Sequence, residues 1–156
     1  MKTIRISTNL EASADAVWAA VTTPETFVHV IGAALRYPVA ERAVGPFGPG
    51  WTIEGRLYLF RVLPVWRHRI TVDQVNPVAR VLVTTEGGGP VSLWRHRIAV
   101  EPIDSTRCGY SDEIDIEAGA LTPMVLAFAT VFYRYRQRRW RRLARILAAV
   151  EGASSR

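Results

Sequence analysis

The chain is poor in the residues that staple or anchor small proteins. Its 156 residues include one cysteine, Cys108. That excludes an intramolecular disulfide and any multi-cysteine zinc cluster, and it fits a reducing compartment. Lysine is nearly missing: Lys2 stands against 19 arginines. A phosphate-binding surface normally uses both residue types, so this bias reads first as genome composition. No apolar run approaches the ~18 residues of a membrane span. Met1–Thr8 alternates polar and apolar residues, as a strand does and a signal peptide does not. The expectation is a cytoplasmic protein. GxSxG is absent, and neither GPFGPG (45–50) nor GGGP (87–90) is followed by Lys-Ser/Thr or by a helix. Nucleophile elbows and phosphate loops are thereby excluded.

What is present fits one packed domain. Hydrophobic residues make up 49% of the chain, and a domain of this size buries roughly 70% of the surface it exposes unfolded. The expected domain covers 1–151, with a fraying tail at 152–156. The net charge is +6, but seven arginines and no acid lie between Arg134 and Arg145. Without that segment the chain carries −1, so it is a near-neutral domain with one basic helix.

Hydrophobic periodicity sets the element order. Residues 3–8 read as a strand. Ser13 is a candidate N-cap for a helix carrying Val17, Trp18 and Val21. Pro24 suits the first turn of a second helix, carrying Phe27, Val28 and Ile31 and stopping near Gly32. Alternating segments follow at 34–42, 50–61, 65–75, 79–86, 91–101 and 106–117, punctuated by Pro and Gly. From Thr122 to Val150 the period becomes helical. Val125, Phe128, Phe132, Tyr135, Leu143, Ile146 and Val150 are read as the apolar stripe, with Arg134, Arg138, Arg141, Arg142 and Arg145 on another face. The fold class is therefore α+β: a seven-stranded antiparallel sheet curled around a long C-terminal helix. Such a sheet encloses a space that one helix does not fill, so a cavity is expected.

Several stretches support a resemblance. ASADAVWAAVTTPETF (12–27), GGGPVSLWRHRIAVEP followed by TRCGYSDEIDI, and FYRYRQRRWRRLARIL resemble, in order, the opening helices, late hairpin and closing helix of the START/polyketide-cyclase superfamily (SRPBCC, helix-grip, birch-pollen-allergen-like). The resemblance covers nearly the whole chain. It implies binding of hydrophobic or aromatic ligands, sometimes with cyclase, dehydratase or hydrolase-like chemistry.

Two strands carry an echo: WRHRITV (66–72) returns as WRHRIAV (94–100). Strand alternation turns Trp, His, Ile and Val to one face and both arginines to the other. A hairpin centred near Asp104 would set His96 opposite Asp112, Trp94 opposite Ile114 and Ile98 opposite Tyr110. A carboxylate facing an imidazole fixes its tautomer, which makes His96 and Asp112 the candidate acid/base pair. The structural alternative is a buried polar pair that satisfies itself. Trp66, His68, Trp94, His96, Tyr110, Asp112, Phe128, Phe132 and Tyr135 form the expected ligand pocket. No metal is expected, because His68 and His96 sit two strands apart and cannot share a ~2 Å coordination sphere. No cofactor is expected either. Cys108 reads as a small inward hydrophobe.

Three functional readings stay open. The first is binding of a small hydrophobic or aromatic molecule. The second is a polyketide-type cyclase/aromatase or dehydratase using His96 and Asp112. The third is a lipid carrier or adaptor that docks through the arginine-rich helix. That helix is expected to be solvated or paired with acids near Asp112, Glu113, Asp115 and Glu117. Weak contact with anionic membranes through Arg134, Arg138, Arg141, Arg142 and Arg145 is the further possibility, and no specific nucleic-acid partner is expected.

Overall fold

The computed structural model describes residues 1–154. Strand β1 (Lys2–Leu10) leads into helices α1 (Ala14–Val21) and α2 (Pro24–Ile31). Ser13 Oγ caps α1 at Ala16 N, Thr23 Oγ1 caps α2 at Thr26 N, and Gly32 ends α2 at a φ of +51°. Then come β2 (Leu35–Arg36), α3 (Pro38–Glu41), β3 (Thr52–Leu59), β4 (Leu63–Asn76), β5 (Val81–Gly88), β6 (Val91–Pro102) and β7 (Cys108–Glu117). A 3₁₀ turn at Gly119–Leu121 opens onto α4 (Thr122–Ser154), whose 33 residues span about 50 Å.

The seven strands form one antiparallel sheet in the order β1-β7-β6-β5-β4-β3-β2. Register shifts in β3, β4 and β5 bend it around α4. The α+β helix-grip architecture is thus as expected.

Three local expectations are corrected. Segment 34–42 is not a full strand. Pro38 presets a helical φ and cannot donate to a ladder, so the chain turns into α3 after two strand residues. The β6–β7 turn is centred on Ser105, not Asp104. Asp104 Oδ1 accepts from Thr106 N at 2.9 Å and Oδ2 from Arg107 Nε at 2.8 Å, which draws residues through Arg107 into the loop. His96 consequently lies opposite Ile114, and Ile98 opposite Asp112. Helix α4 also continues past Val150 through Gly152 and Ala153 to Ser154, while Ser155 and Arg156 lie outside the described residues.

The phase of α4 is the largest correction. Its buried positions are Ala129, Phe132, Tyr133, Arg136, Gln137, Trp140 and Ala144. Phe128, Ile146 and Val150 are exposed, at 44%, 58% and 60%. The stripe is rotated by roughly one residue from the expected one because Trp140 and Tyr133 anchor it. Trp140 tilts against Tyr110 at 4.9 Å between ring centroids, and Tyr133 sits over His96 at 4.9 Å. Arg138, Arg141 and Arg142 are exposed. Among the acids of β7, Asp112 accepts from Gln137 of this helix, while Asp115 and Glu117 have other partners. Asp115 accepts from Thr3 and Glu117 meets the N-terminal ammonium, whereas Arg141 donates to Thr8 and Arg145 faces Glu11. Among the described residues, no helix is long and apolar enough to cross a membrane.

Candidate functional site

The two echo strands lie on either side of β5, and their histidines both point toward α4. On β5 the inward positions are Leu82, Thr84 and Glu86. Glu86 pairs with Ile70 of β4 and Trp94 of β6, which sets it diagonally between His68 and His96. Its Oε2 lies 3.0 Å from His68 Nε2, and its Oε1 lies 3.7 Å from His96 Nδ1. Thr84 Oγ1 donates to Oε1 at 3.2 Å.

The chain continues on the other side of His96. His96 Nε2 is 2.9 Å from Asp112 Oδ1, so the pair expected from parity forms along a diagonal. Asp112 is fully buried and also accepts from the Tyr110 hydroxyl at 3.0 Å and from Gln137 Nε2 at 3.2 Å. Imidazole and carboxylate therefore alternate across four neighbouring strands, in the order His68, Glu86, His96, Asp112.

Helix α4 closes this row from above. Arg136, 5% exposed, donates from Nη2 to the Tyr110 hydroxyl at 3.3 Å and lies over the Tyr133 ring. Burial alone would push the Glu86 carboxyl up, but hydrogen bonds from His68 and His96 hold it well below the usual carboxylate range. Burial likewise opposes the charge on Asp112, and the Arg136 guanidinium and the His96 bond outweigh it. Burial pushes the Tyr110 and Tyr133 hydroxyls well up. Glu86 and Asp112 are thus carboxylates held beside the buried Arg136 guanidinium.

A cavity of about 350 Å³ opens beside this row, between the first half of α4 and strands β3 to β6. Of the expected pocket residues, Trp66, His68, Trp94, Phe128 and Phe132 line it. His96 borders a separate space of about 30 Å³, room for one water. Glu86 and Arg136 touch both spaces and form the wall between them. Tyr110 and Asp112 are buried behind that wall and line neither. Tyr135 points away: its hydroxyl accepts from Ala33 N at 3.0 Å, with Arg139 over its ring. The rotated phase of α4 puts Tyr133 where Tyr135 was expected.

The cavity wall is almost wholly apolar except for His68, Glu86, Arg136 and two tyrosines, Tyr37 and Tyr133. Trp66 Nε1, His68 Nδ1 and Arg136 Nε are buried there without a hydrogen-bond partner. Gly89 lets the Trp66 indole seat against the β5–β6 turn: at φ +64°, a Cβ there would lie 2.5 Å from the ring. Among the described residues no group of three His, Cys, Asp or Glu could hold a metal ion. Cys108 is fully buried, and burial pushes its thiol up to about 11.

Sequence reasoning missed Glu86 and the burial of Arg136. Both had a signal. Glu86 is a carboxylate at the inward parity of β5, between two inward histidines. Arg136 keeps helical spacing with Ala129, Tyr133 and Trp140, but its place inside an arginine run disguised it.

Residues 8–145 match the sequence family described as a domain of unknown function, DUF8410. The chain belongs to the DUF8410 family. None of the curated proteins matches it in sequence. Solved structures do resemble this DUF8410 domain. Norcoclaurine synthase from Thalictrum flavum, in complex with dopamine and hydroxybenzaldehyde, superposes with a TM-score of 0.64 at 17% identity, covering 91% of this chain and 85% of that one. The Zhui aromatase/cyclase from Streptomyces sp. R1128 gives 0.63 at 12% identity over 92% and 93%. A START superfamily protein from Mycobacterium smegmatis gives 0.64 at 15% over 93% and 98%. At these identities the likeness concerns the fold, which is START/SRPBCC-like.

Proposed function

We propose that this DUF8410 domain binds a small hydrophobic or aromatic molecule in the cavity beneath the first half of α4. The observation that carries the reading is the cavity's composition. About 350 Å³ of apolar wall ends in a few convergent polar groups with unused hydrogen-bonding atoms, the usual make-up of a small-molecule site. The structural relatives lend support, since one was solved with dopamine and hydroxybenzaldehyde bound. The test is titration with naphthalene, followed through the fluorescence of Trp66 and Trp94. Saturable quenching is expected in the wild type and its loss in Leu57→Trp, which fills the cavity. Equal behaviour of the two proteins would reject the site.

The cyclase/aromatase or dehydratase reading built on His96 and Asp112 draws less support. Neither residue lines the larger cavity: Asp112 is held by His96, Tyr110 and Gln137, and His96 borders only the small separate space.

One observation favours the carrier reading. Met124 and Phe128 line the cavity yet are exposed, and the β3–β4 tip next to Leu59 exposes Phe60, Val62 and Leu63. Arg134 and Arg138 continue the outer face of α4. An apolar rim flanked by cations suits an anionic lipid surface. Sedimentation with phosphatidylglycerol vesicles, compared between wild type and Phe60→Ser/Phe128→Ser, tests it; equal sedimentation rejects it.

A further inference from the structure

We propose that His68 is the residue through which the cavity exchanges a proton with its ligand, and that the ligand class is an apolar ring system carrying a weakly acidic hydroxyl, a phenol or an enol. The proposal rests on the reading of the cavity as a small-molecule site and names the chemistry of its polar end.

The argument starts from the two nitrogens of one ring. Nε2 of His68 meets the Glu86 carboxylate at 3.0 Å, and an anion there selects the tautomer with the proton on Nε2. Nδ1 then carries a bare lone pair. It is buried, it has no partner, and its ring lines the cavity. An unsatisfied buried acceptor costs free energy unless a ligand uses it. What would use it is a donor, and the apolar wall narrows that donor to one hydroxyl on an otherwise apolar body. Arg136 Nε and Trp66 Nε1 are donors, also buried and unpartnered among the residues that line the same cavity.

The groups around His68 act on a proton at Nδ1 in both directions: the Glu86 carboxylate favours it, and the Arg136 guanidinium opposes it until an oxyanion forms beside it. From β5, Glu86 faces Nε2. From the segment before α3, Tyr37 stands edge-on to the ring at 6.0 Å and its hydroxyl donates to the His68 carbonyl. From α4, Arg136 and Tyr133 border the cavity, and from β6 His96 touches the far oxygen of Glu86. On transfer the ligand O–H bond breaks, its electron pair stays on oxygen, and the proton passes to His68 Nδ1. The imidazolium is neutralised by Glu86, and the oxyanion lies between the imidazolium and the Arg136 guanidinium. Glu86, His96 and Asp112 act as positioning residues: the diagonal chain across β4 to β7 fixes the Glu86 carboxylate and through it the His68 ring.

The probe is 2-naphthol, whose neutral and ionised forms absorb and emit differently, with naphthalene as the control. Wild-type protein at neutral pH should bind 2-naphthol about tenfold more tightly than naphthalene, the worth of one added hydrogen bond, and should show the naphtholate spectrum in the complex. His68→Gln keeps a donor for Glu86 but cannot take the proton, so it should bind the probe in its neutral form. Glu86→Gln should lower the naphtholate fraction of the bound probe. In the wild type, the ¹⁵N resonance of His68 Nδ1 should move on adding 2-naphthol and stay in place with naphthalene, a readout that needs no variant to fold. If naphthalene binds but 2-naphthol stays neutral and His68 Nδ1 does not respond, the proton-exchange role falls and the cavity reading stands. If neither compound binds, both fall.

Discussion

The two halves of the interior use the same sheet and the same helix yet differ in filling. Under the second half of α4, Trp140 and Ala144 pack on Leu10, Val17, Val100 and Tyr110, all fully or almost fully buried. Under the first half, Phe132 and Ala129 meet Ile114, Ile116 and Leu57 but leave the cavity of about 350 Å³. The boundary is the polar row from His68 to Asp112, with Arg136 above it. The packed end has α1 closing over it, while α2 and the segment before α3 bring Phe27, Ile31, Leu35 and Tyr37 to the wall of the hollow end. What differs is which elements reach the sheet edge. The difference teaches that one fold can devote one end to stability and the other to a ligand.

Breaking that contrast begins at the boundary. Asp112→Ala strands His96, Tyr110, Gln137 and Arg136 around a lost anion and should cost about 3–5 kcal/mol, as removal of one partner of a buried ion pair does. Urea unfolding measures it, and a loss under about 1 kcal/mol would show that the row does not hold the two halves together. Next, Trp140→Ala in the packed half should cost about 3–5 kcal/mol, whereas Phe132→Ala, beside existing empty space, should cost at most about 2 kcal/mol. Equal costs would abolish the contrast itself.

Acid sharpens the same boundary. The Glu86 and Asp112 carboxyls titrate lower in the folded chain than in the unfolded one. Their stabilisation is therefore complete above the ordinary carboxylate values near 4 and is lost as pH falls through the depressed folded values. Urea midpoints should hold from pH 7 to about 5 and drop below about 4, and Glu86→Gln should flatten part of that drop. The smallest effect is expected on the outer face of α4: Arg138→Gln, Arg141→Gln and Arg142→Gln should each change stability by less than about 0.5 kcal/mol. A larger change from any of them would mean that the outer arginines hold the helix on the sheet.

The legible parts share a local cause. Ser13 and Thr23 could be read as caps because an N-cap bond closes within three residues. The inward parity of Trp66, His68, Trp94 and His96 could be read because alternation is a property of one strand. The pairing of His96 with Asp112 survived a register error of two residues, since a shift of two preserves the face. Segment 34–42 and the phase of α4 were misread. Pro38 overrides an alternating pattern there, and a helix with apolar residues at 128, 132, 135, 140, 143 and 146 offers two stripes about one residue apart.

Alternation, caps and the switch to a helical period after Gly119 thus determined, without a structure, a seven-stranded sheet and the helix it grips. They also determined that two histidines would face that helix. Tertiary structure alone decided which stripe of α4 went down. Only the assembled sheet makes Trp140 and Tyr133 fit between Tyr110 and His96, and that fit carries Arg136 inside and turns Tyr135 out. It also decided that Glu86 would join the two histidines, because a bond between neighbouring strands depends on registers that no single segment contains.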